Sequence, residues 1–206
     1  HPFPAADVLS ARIGLFESVF PEREERQGFY RELVRRLREQ PGVSAAALGT
    51  SLPGTETSSQ EIAVQGREYG ERSGLPTARV AYVSPEYFDA FQAPALDGRA
   101  FTHDDDAGSL PVALVNRSFA DRFFEGEDPL GRWIQVGGSD PGGSWRTVVG
   151  VVPDLAMDGA MRPAGDPEGV YLPIAQTDVR FVSIAVRTLG DPLAFAPTLR
   201  DEVMAL

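Results

Sequence analysis

The run Ser84 to Val136, SPEYFDAFQAPALDGRAFTHDDDAGSLPVALVNRSFADRFFEGEDPLGRWIQV, decides the fold, because it states one local grammar twice. Each copy is an aliphatic strand, a capping residue, a short aromatic helix and a Pro or Gly stop. In the first, Ala78 to Val83 is the strand, Ser84 the expected cap and Pro85 the first helical position, with Tyr87, Phe88 and Phe91 as an apolar stripe. In the second, Pro111 to Val115 is the strand, Asn116 the cap, Phe119, Phe123 and Phe124 the stripe, and Gly126 the stop. Helices this short are marginal in water, so both must pack on a sheet. Asp128-Pro129-Leu130-Gly131 then spells a turn into a strand beginning at Trp133.

Outward from this stretch, the other segments read in two textures. Val8 to Leu15 is a strand, Glu22 to Gln40 an amphipathic helix with Phe29, Leu33 and Leu37 on its apolar face, and Val43 to Thr50 a strand of small residues. Pro53 to Gln60 is polar and turn-rich, a candidate boundary and hinge. Beyond it come short strands at Ile62 to Gln65, Thr77 to Val83, Val112 to Val115, Trp133 to Val136 and Thr147 to Val152, with GGSDPGG (Gly137 to Gly143) as a hairpin tip. Asp154 to Gly169 reads as loop, with Met157 and Met161 in its middle, and Tyr171 to Ile174 as a brief strand. The first texture returns with a strand at Phe181 to Thr188 and a helix capped by Asp191-Pro192, with Phe195, Leu199, Val203 and Leu206 apolar. A strand and helix at each end predict an α+β fold in which residues 7–53 and 177–206 pair as a split β-α-β unit. Residues 54–176 form an inserted, strand-rich block, and Ile174 to Arg180 is the second crossing and hinge candidate.

The order strand, SPEYFDAF, Gly-Arg-x-Phe, an acidic Asp-Asp turn, V-N-x-x-F-A-x-x-F-F and D-P-L-G-R closely resembles the large extracytoplasmic domain of MacB-type, FtsX-like ABC transporter permeases, from about Val8 to Leu206. Within that group it is most similar to the duplicated permeases of acidobacteria and related phyla. The resemblance implies a porter-like subdomain from the chain ends and an inserted Sabre-like subdomain, with a closing strand expected after Leu206 and an open sheet edge without it. It also implies a non-catalytic periplasmic domain of an inner-membrane efflux or export permease. The implied partners are its own transmembrane helices, a second permease domain or protomer, a cytoplasmic ABC ATPase that hydrolyses ATP as a separate subunit, and a periplasmic adaptor. A ligand-binding or sensor module, holding a small molecule or peptide between the two units, is the alternative.

Composition limits the chemistry. The formal charge of −11 disfavours nucleic acid and anionic membrane surfaces. All 19 basic residues are arginine, which removes lysine-based phosphate, Schiff-base and general-base chemistry, and with no cysteine there is no thiol nucleophile or disulfide. Asp104-Asp105-Asp106 lacks the ligand spacing of a calcium loop and reads as a solvated acidic turn beside an exposed His103. GGSDPGG has no lysine or helix behind it to make a phosphate cradle. The arginines of the first helix, Arg23, Arg26, Arg31, Arg35, Arg36 and Arg38, read as its wet face, with an interface as the second reading. Trp133 and Trp145 either pair across strands or form an exposed anchor. No catalytic, cofactor-binding or metal-binding residue is assigned, and no cofactor is expected.

Overall fold

The computed structural model describes residues 6–69, 74–137, 145–159 and 167–206. The chain opens with β1 (Val8–Gly14), α1 (Arg23–Glu39) and β2 (Val43–Gly49), near the bounds expected. α1 forms because Phe29, Tyr30, Leu33, Val34 and Leu37 share one buried face. At its start the Glu25 carboxylate accepts the Glu22 N–H at 3.2 Å, tying down one free end of the helix. Gly42 ends the turn after it at φ +80°, a conformation open to glycine.

The remaining strands are β3 (Ser58–Val64), β4 (Thr77–Val83), β5 (Asp97–Gly98), β6 (Val112–Asn116), β7 (Trp133–Val136), β8 (Trp145–Val152), β9 (Gly169–Pro173) and β10 (Phe181–Thr188). The remaining helices are α2 (Tyr87–Ala90), α3 (Arg117–Phe124) and α4 (Ala196–Met204), with single 3-10 turns at Ile174–Gln176 and Pro192–Phe195. The two chain ends fold together. β10 lies between β1 and β2, antiparallel to both, in register from Val8↔Arg187 to Gly14↔Phe181 on one side and from Ser183↔Gly49 to Thr188↔Val43 on the other. α1 covers one face of this sheet, packing on Ala46, Leu48, Val182, Ile184 and Val186, and α4 adds Leu199 to the same core. Among the described residues β10 is the only strand paired with β1, so β1 presents an open outer edge.

The inserted block is a ring. β4, β3, β7, β8, β6 and β9 pair in succession and β9 pairs back with β4, which closes six strands on themselves. Alternate side chains from all six, including Ile62, Val80, Ala113, Ile134, Val148 and Leu172, meet in one core that Phe119, Phe123 and Phe124 of α3 complete. The other face of β4, β6 and β9, through Ala81, Leu114 and Tyr171, packs against Tyr87, Phe88 and Phe91, and that second core reaches Ala47 and Ala185 of the chain-end sheet. The chain-end strands and the ring are continuous parts of one ten-stranded sheet, joined through β2 and β4 at the pair Gly49↔Val83, flanked by Thr50 N–H to the Tyr82 carbonyl (2.9 Å) and Ser84 N–H to the Leu48 carbonyl (2.9 Å).

Three local expectations are corrected. β3 begins at Ser58 rather than Ile62, because the polar residues Ser58 to Glu61 pair with Thr77 to Val80, so the last three residues of the proposed boundary segment, Ser58 to Gln60, are strand. The hydroxyl of Ser84 does not cap α2; it accepts the Leu48 N–H at 3.1 Å, while the Ser84 carbonyl accepts the Tyr87 N–H and α2 is a single turn. The brief strand at the Tyr171 region is β9, buried along its whole length and central to the ring. The tip Gly138 to Gly143 and Met161 lie outside the described residues.

Asn116 is the tightest local device. Its Oδ1 accepts both the Phe119 N–H at 2.9 Å, as the cap of α3, and the Gly169 N–H at 2.8 Å, which starts β9, while its Nδ2 donates to the Pro167 carbonyl. Asn116→Ala leaves two buried backbone N–H groups unpaired and is expected to cost about 3 kcal/mol in denaturant unfolding. A loss below about 1 kcal/mol would show that this residue does not couple α3 to the ring.

Candidate functional site

A cleft of about 400 Å³ separates α1 from the acidic turn after Phe101, and its lining is predominantly apolar. Its floor is Tyr30, Val34, Leu48, Pro85, Pro173 and Ile174. One wall is the α1 face carrying Gln27, Arg31, Arg35 and Arg38, residues spaced by three or four positions so that they line up along the helix. The opposite wall carries Glu86, His103, Asp105 and Asp106. The cleft therefore lies between an element of the chain ends and elements of the inserted block. A second cavity of about 410 Å³, beside α3, is lined by Asp97, Arg117, Asp121, Glu127 and Asp128 among others, and has no comparable apolar floor.

Glu86 organises the far wall. Although 8% exposed, it faces His103 Nε2 at 3.0 Å and Arg38 Nη1 at 3.7 Å, so a buried carboxylate links the acidic turn to α1. Asp105 is also buried: Arg99 grips it with two N–H groups at 2.7 and 2.8 Å, and the Thr102 N–H donates to it at 2.8 Å. Burial pushes the Asp105 carboxyl up, but Arg99 and the Thr102 N–H outweigh it and hold the group below its ordinary value. At the floor, the Tyr30 hydroxyl donates to the Val179 carbonyl at 3.0 Å, and burial pushes its pKa up to about 12. The floor is thus neutral across the physiological range.

These placements revise the sequence reading at several residues. Asp104-Asp105-Asp106 is not a uniformly solvated turn, since Asp105 is consumed by Arg99. His103 is exposed over most of its side chain, as expected, yet it has a partner in Glu86, a residue the sequence reading did not single out. Arg26 is not on the wet face of α1. It is 3% exposed and donates to Asp178 and to the carbonyls of Phe20 and Pro21. Arg23 and Gln27 both donate to the Ala175 carbonyl, so α1 holds the second chain crossing along its length. Arg35 and Arg36 do share Glu32 on the outer surface. Trp133 and Trp145 sit diagonally on paired strands, at Trp133↔Thr147 and Gln135↔Trp145, and both stay exposed. Among the described residues no three metal-ligating side chains cluster, no hydroxyl is bonded to a histidine, and no helix is long and apolar enough to cross a membrane.

The signature of MacB-like periplasmic core domains matches residues 4–200. The chain belongs to that family. Its fold agrees with the periplasmic region of MacB from Actinobacillus actinomycetemcomitans, at a TM-score of 0.59 and 16% identity, covering 98% of this chain and 84% of that one. It agrees likewise with the extracellular domain of the noncanonic ABC-type transporter YknZ from Gram-positive bacteria, at a TM-score of 0.57 and 17% identity, covering 95% and 90%. No curated protein matches the sequence. This MacB-like domain is therefore a periplasmic or extracellular portion of an ABC transporter permease, and the match is to no catalytic family.

Asp105 gives this MacB-like domain a pH signature. Its folded pKa lies below the unfolded one, so the group stabilises the fold at neutral pH and that contribution is lost as pH falls below the ordinary carboxyl range near ~4. Asp105→Asn is expected to cost about 1 to 2 kcal/mol at pH 7 and to flatten the acid limb of stability between about pH 5 and 3, read by urea unfolding at each pH. An acid limb as steep as that of the parent protein would contradict this role.

Proposed function

We propose that this chain is the extracytoplasmic domain of an ABC-type efflux or export permease, that it performs no chemistry, and that it couples ATP-driven motion of the membrane part to cargo handling or partner contacts outside. The observation that carries this reading is family membership over nearly the whole chain. Its partners in this reading are the transmembrane helices of the same protein, a second permease domain or protomer, a cytoplasmic ABC ATPase and a periplasmic adaptor. Residues 7–53 and 177–206 act as the porter-like unit and residues 54–176 as the Sabre-like unit.

Support for relative motion of the two units comes from how they are joined. Their strands share the one pair Gly49↔Val83, flanked by the Thr50 N–H to Tyr82 carbonyl and Ser84 N–H to Leu48 carbonyl bonds and backed by the shared aromatic core, and an open cleft lies on the α1 side of that junction. Each crossing is bonded at its ends, as by Thr57 N–H to the Met157 carbonyl and Arg26 to Asp178, so motion is a change of angle about a short seam rather than a loosening. The cleft also supports the second reading, a module that holds a ligand between the units, because a mostly apolar pocket with a few polar groups at its rim is the usual form of a binding site.

These 206 residues contain no cysteine, so paired spin labels can be placed at Arg31→Cys and Ala107→Cys in the full-length transporter once any cysteine elsewhere in it has been replaced. The distance distribution across the cleft is expected to shift between nucleotide-free and ATP-bound states of the ATPase. A distribution unchanged through the cycle would overturn motion between the units.

A further inference from the structure

Resting on the reading of two units that change their angle, we propose that the cleft is hinged at its Gln176 end and opens at its Arg38 end. Gln27 and Arg38 both line the cleft from α1 and stand about 16 Å apart along the helix. At each of these positions a chain of polar contacts crosses from α1 to the far wall, and the two chains differ in kind. At Gln27, the Ala175 carbonyl accepts side-chain N–H groups of Gln27 at 2.7 Å and Arg23 at 3.0 Å. The next residue, Gln176, reaches the inserted block. Its Nε2 donates to the Ser109 hydroxyl at 3.0 Å and the Leu110 carbonyl at 2.9 Å, and its Oε1 accepts the Val112 N–H at 3.1 Å and an Arg146 N–H at 3.2 Å. A side-chain amide has two donor hydrogens and two acceptor lone pairs, so every hydrogen-bonding position of Gln176 is used. Ser109 and Leu110 directly follow the acidic turn, so two consecutive residues of the second crossing join α1 to the foot of the far wall.

At the other end the link is a single carboxylate between an arginine and a histidine. Glu86 faces Arg38 Nη1 at 3.7 Å and His103 Nε2 at 3.0 Å, and the side chains of Arg38 and His103 are 55% and 65% exposed. Water competes for both, and ion pairs so exposed hold weakly, whereas Gln176 binds mostly backbone groups of one connected segment. The backbone junction also belongs to the Gln176 end. Val83 pairs with Gly49 on one side and Pro173 on the other, and the second crossing leaves from Pro173. Rotation about this line keeps the Gln176 contacts near the axis and swings the far end of α1 against the acidic turn. A rotation of about 15° on an arm of about 16 Å moves that end by about 4 Å. The mouth of the cleft is therefore at Arg38, Glu86 and His103.

The test is two spin-label pairs in the full-length transporter with its ATPase, once any other cysteine has been replaced. Glu39→Cys with Asp104→Cys reads the opening end and Glu24→Cys with Leu110→Cys the hinge end, all four positions being exposed. Between nucleotide-free and ATP-bound states the opening-end distance is expected to shift by about 4 Å, and the hinge-end distance by less than half as much. Gln176→Leu, which is similar in size and removes all four bonds, should broaden the hinge-end distribution. Arg38→Gln combined with His103→Ala should broaden the opening end alone. Equal shifts at the two ends, or a larger one at the hinge end, would overturn this proposal while leaving motion between the units in place. No shift at either end would overturn that motion and the proposal together. A hinge-end distribution unchanged by Gln176→Leu would overturn the part assigned to this side chain, and if that variant does not fold, the shifts of the two pairs in the unsubstituted background decide.

Discussion

The structure depends on β10 entering between β1 and β2. Neither of those strands pairs with the other, so until the last quarter of the chain arrives the opening strand, helix and strand have no continuous sheet under them. Closing so long a loop costs chain entropy that grows only slowly with length, and the two full antiparallel ladders together with the α1 and α4 core offset it. The arrangement has a geometric consequence for the middle of the chain. Both of its ends must leave and re-enter the same sheet, so the inserted block is anchored twice and its first connection to the sheet, through β4, falls beside β2.

Within the block, ring closure does what a flat sheet could not. Six short strands, several with polar residues at their ends, would have two exposed edges if left open; pairing β9 with β4 removes both. β9 is the strand that makes this work, and it is buried from Gly169 to Pro173 because the ring core lies on one side and the aromatic residues of α2 on the other. The two aromatic helices thus have different jobs. α3 fills the ring from inside with Phe119, Phe123 and Phe124, whereas Tyr87, Phe88 and Phe91 fill the wedge between the ring and the chain-end sheet.

What could be read from the sequence follows how strongly each element is determined locally. α1, β10 and the cap of α3 carry periodicity or capping chemistry of their own, and Phe29, Leu33, Leu37 and Asn116 are where the pattern puts them. The start of β3 was illegible because Ser58 to Glu61 has no apolar alternation; its strand state comes from the partner β4 alone. The length of α2 was overread because Ser84 has the residue type of a cap but spends its hydroxyl on Leu48, far away in sequence. The cleft was illegible for the same reason. Its walls are a helix and a turn more than sixty residues apart, and the burial of Glu86 and Asp105 is decided by Arg38, His103 and Arg99 meeting them in space.

The absence of lysine gains a structural sense in this light. The junctions between segments are held by side chains that bond several oxygens at once. Arg26 spans two carbonyls and Asp178, Arg79 joins the Thr57 carbonyl to Asp158, and Arg99 reaches the Ala100 carbonyl and both oxygens of Asp105. Arg187, buried in β10, donates to the Ala90 carbonyl at the end of α2 and faces Asp7. A guanidinium offers five donors in a fixed plane and stays charged when buried, whereas an ammonium offers three on a single atom and loses its proton more readily in an apolar setting. In a chain with an excess of carboxylates and exposed carbonyl ends at every crossing, a planar fork secures two segments with one side chain. Arginine at these positions therefore fixes the local geometry of each junction, and its substitution by lysine would keep the charge while losing that geometry.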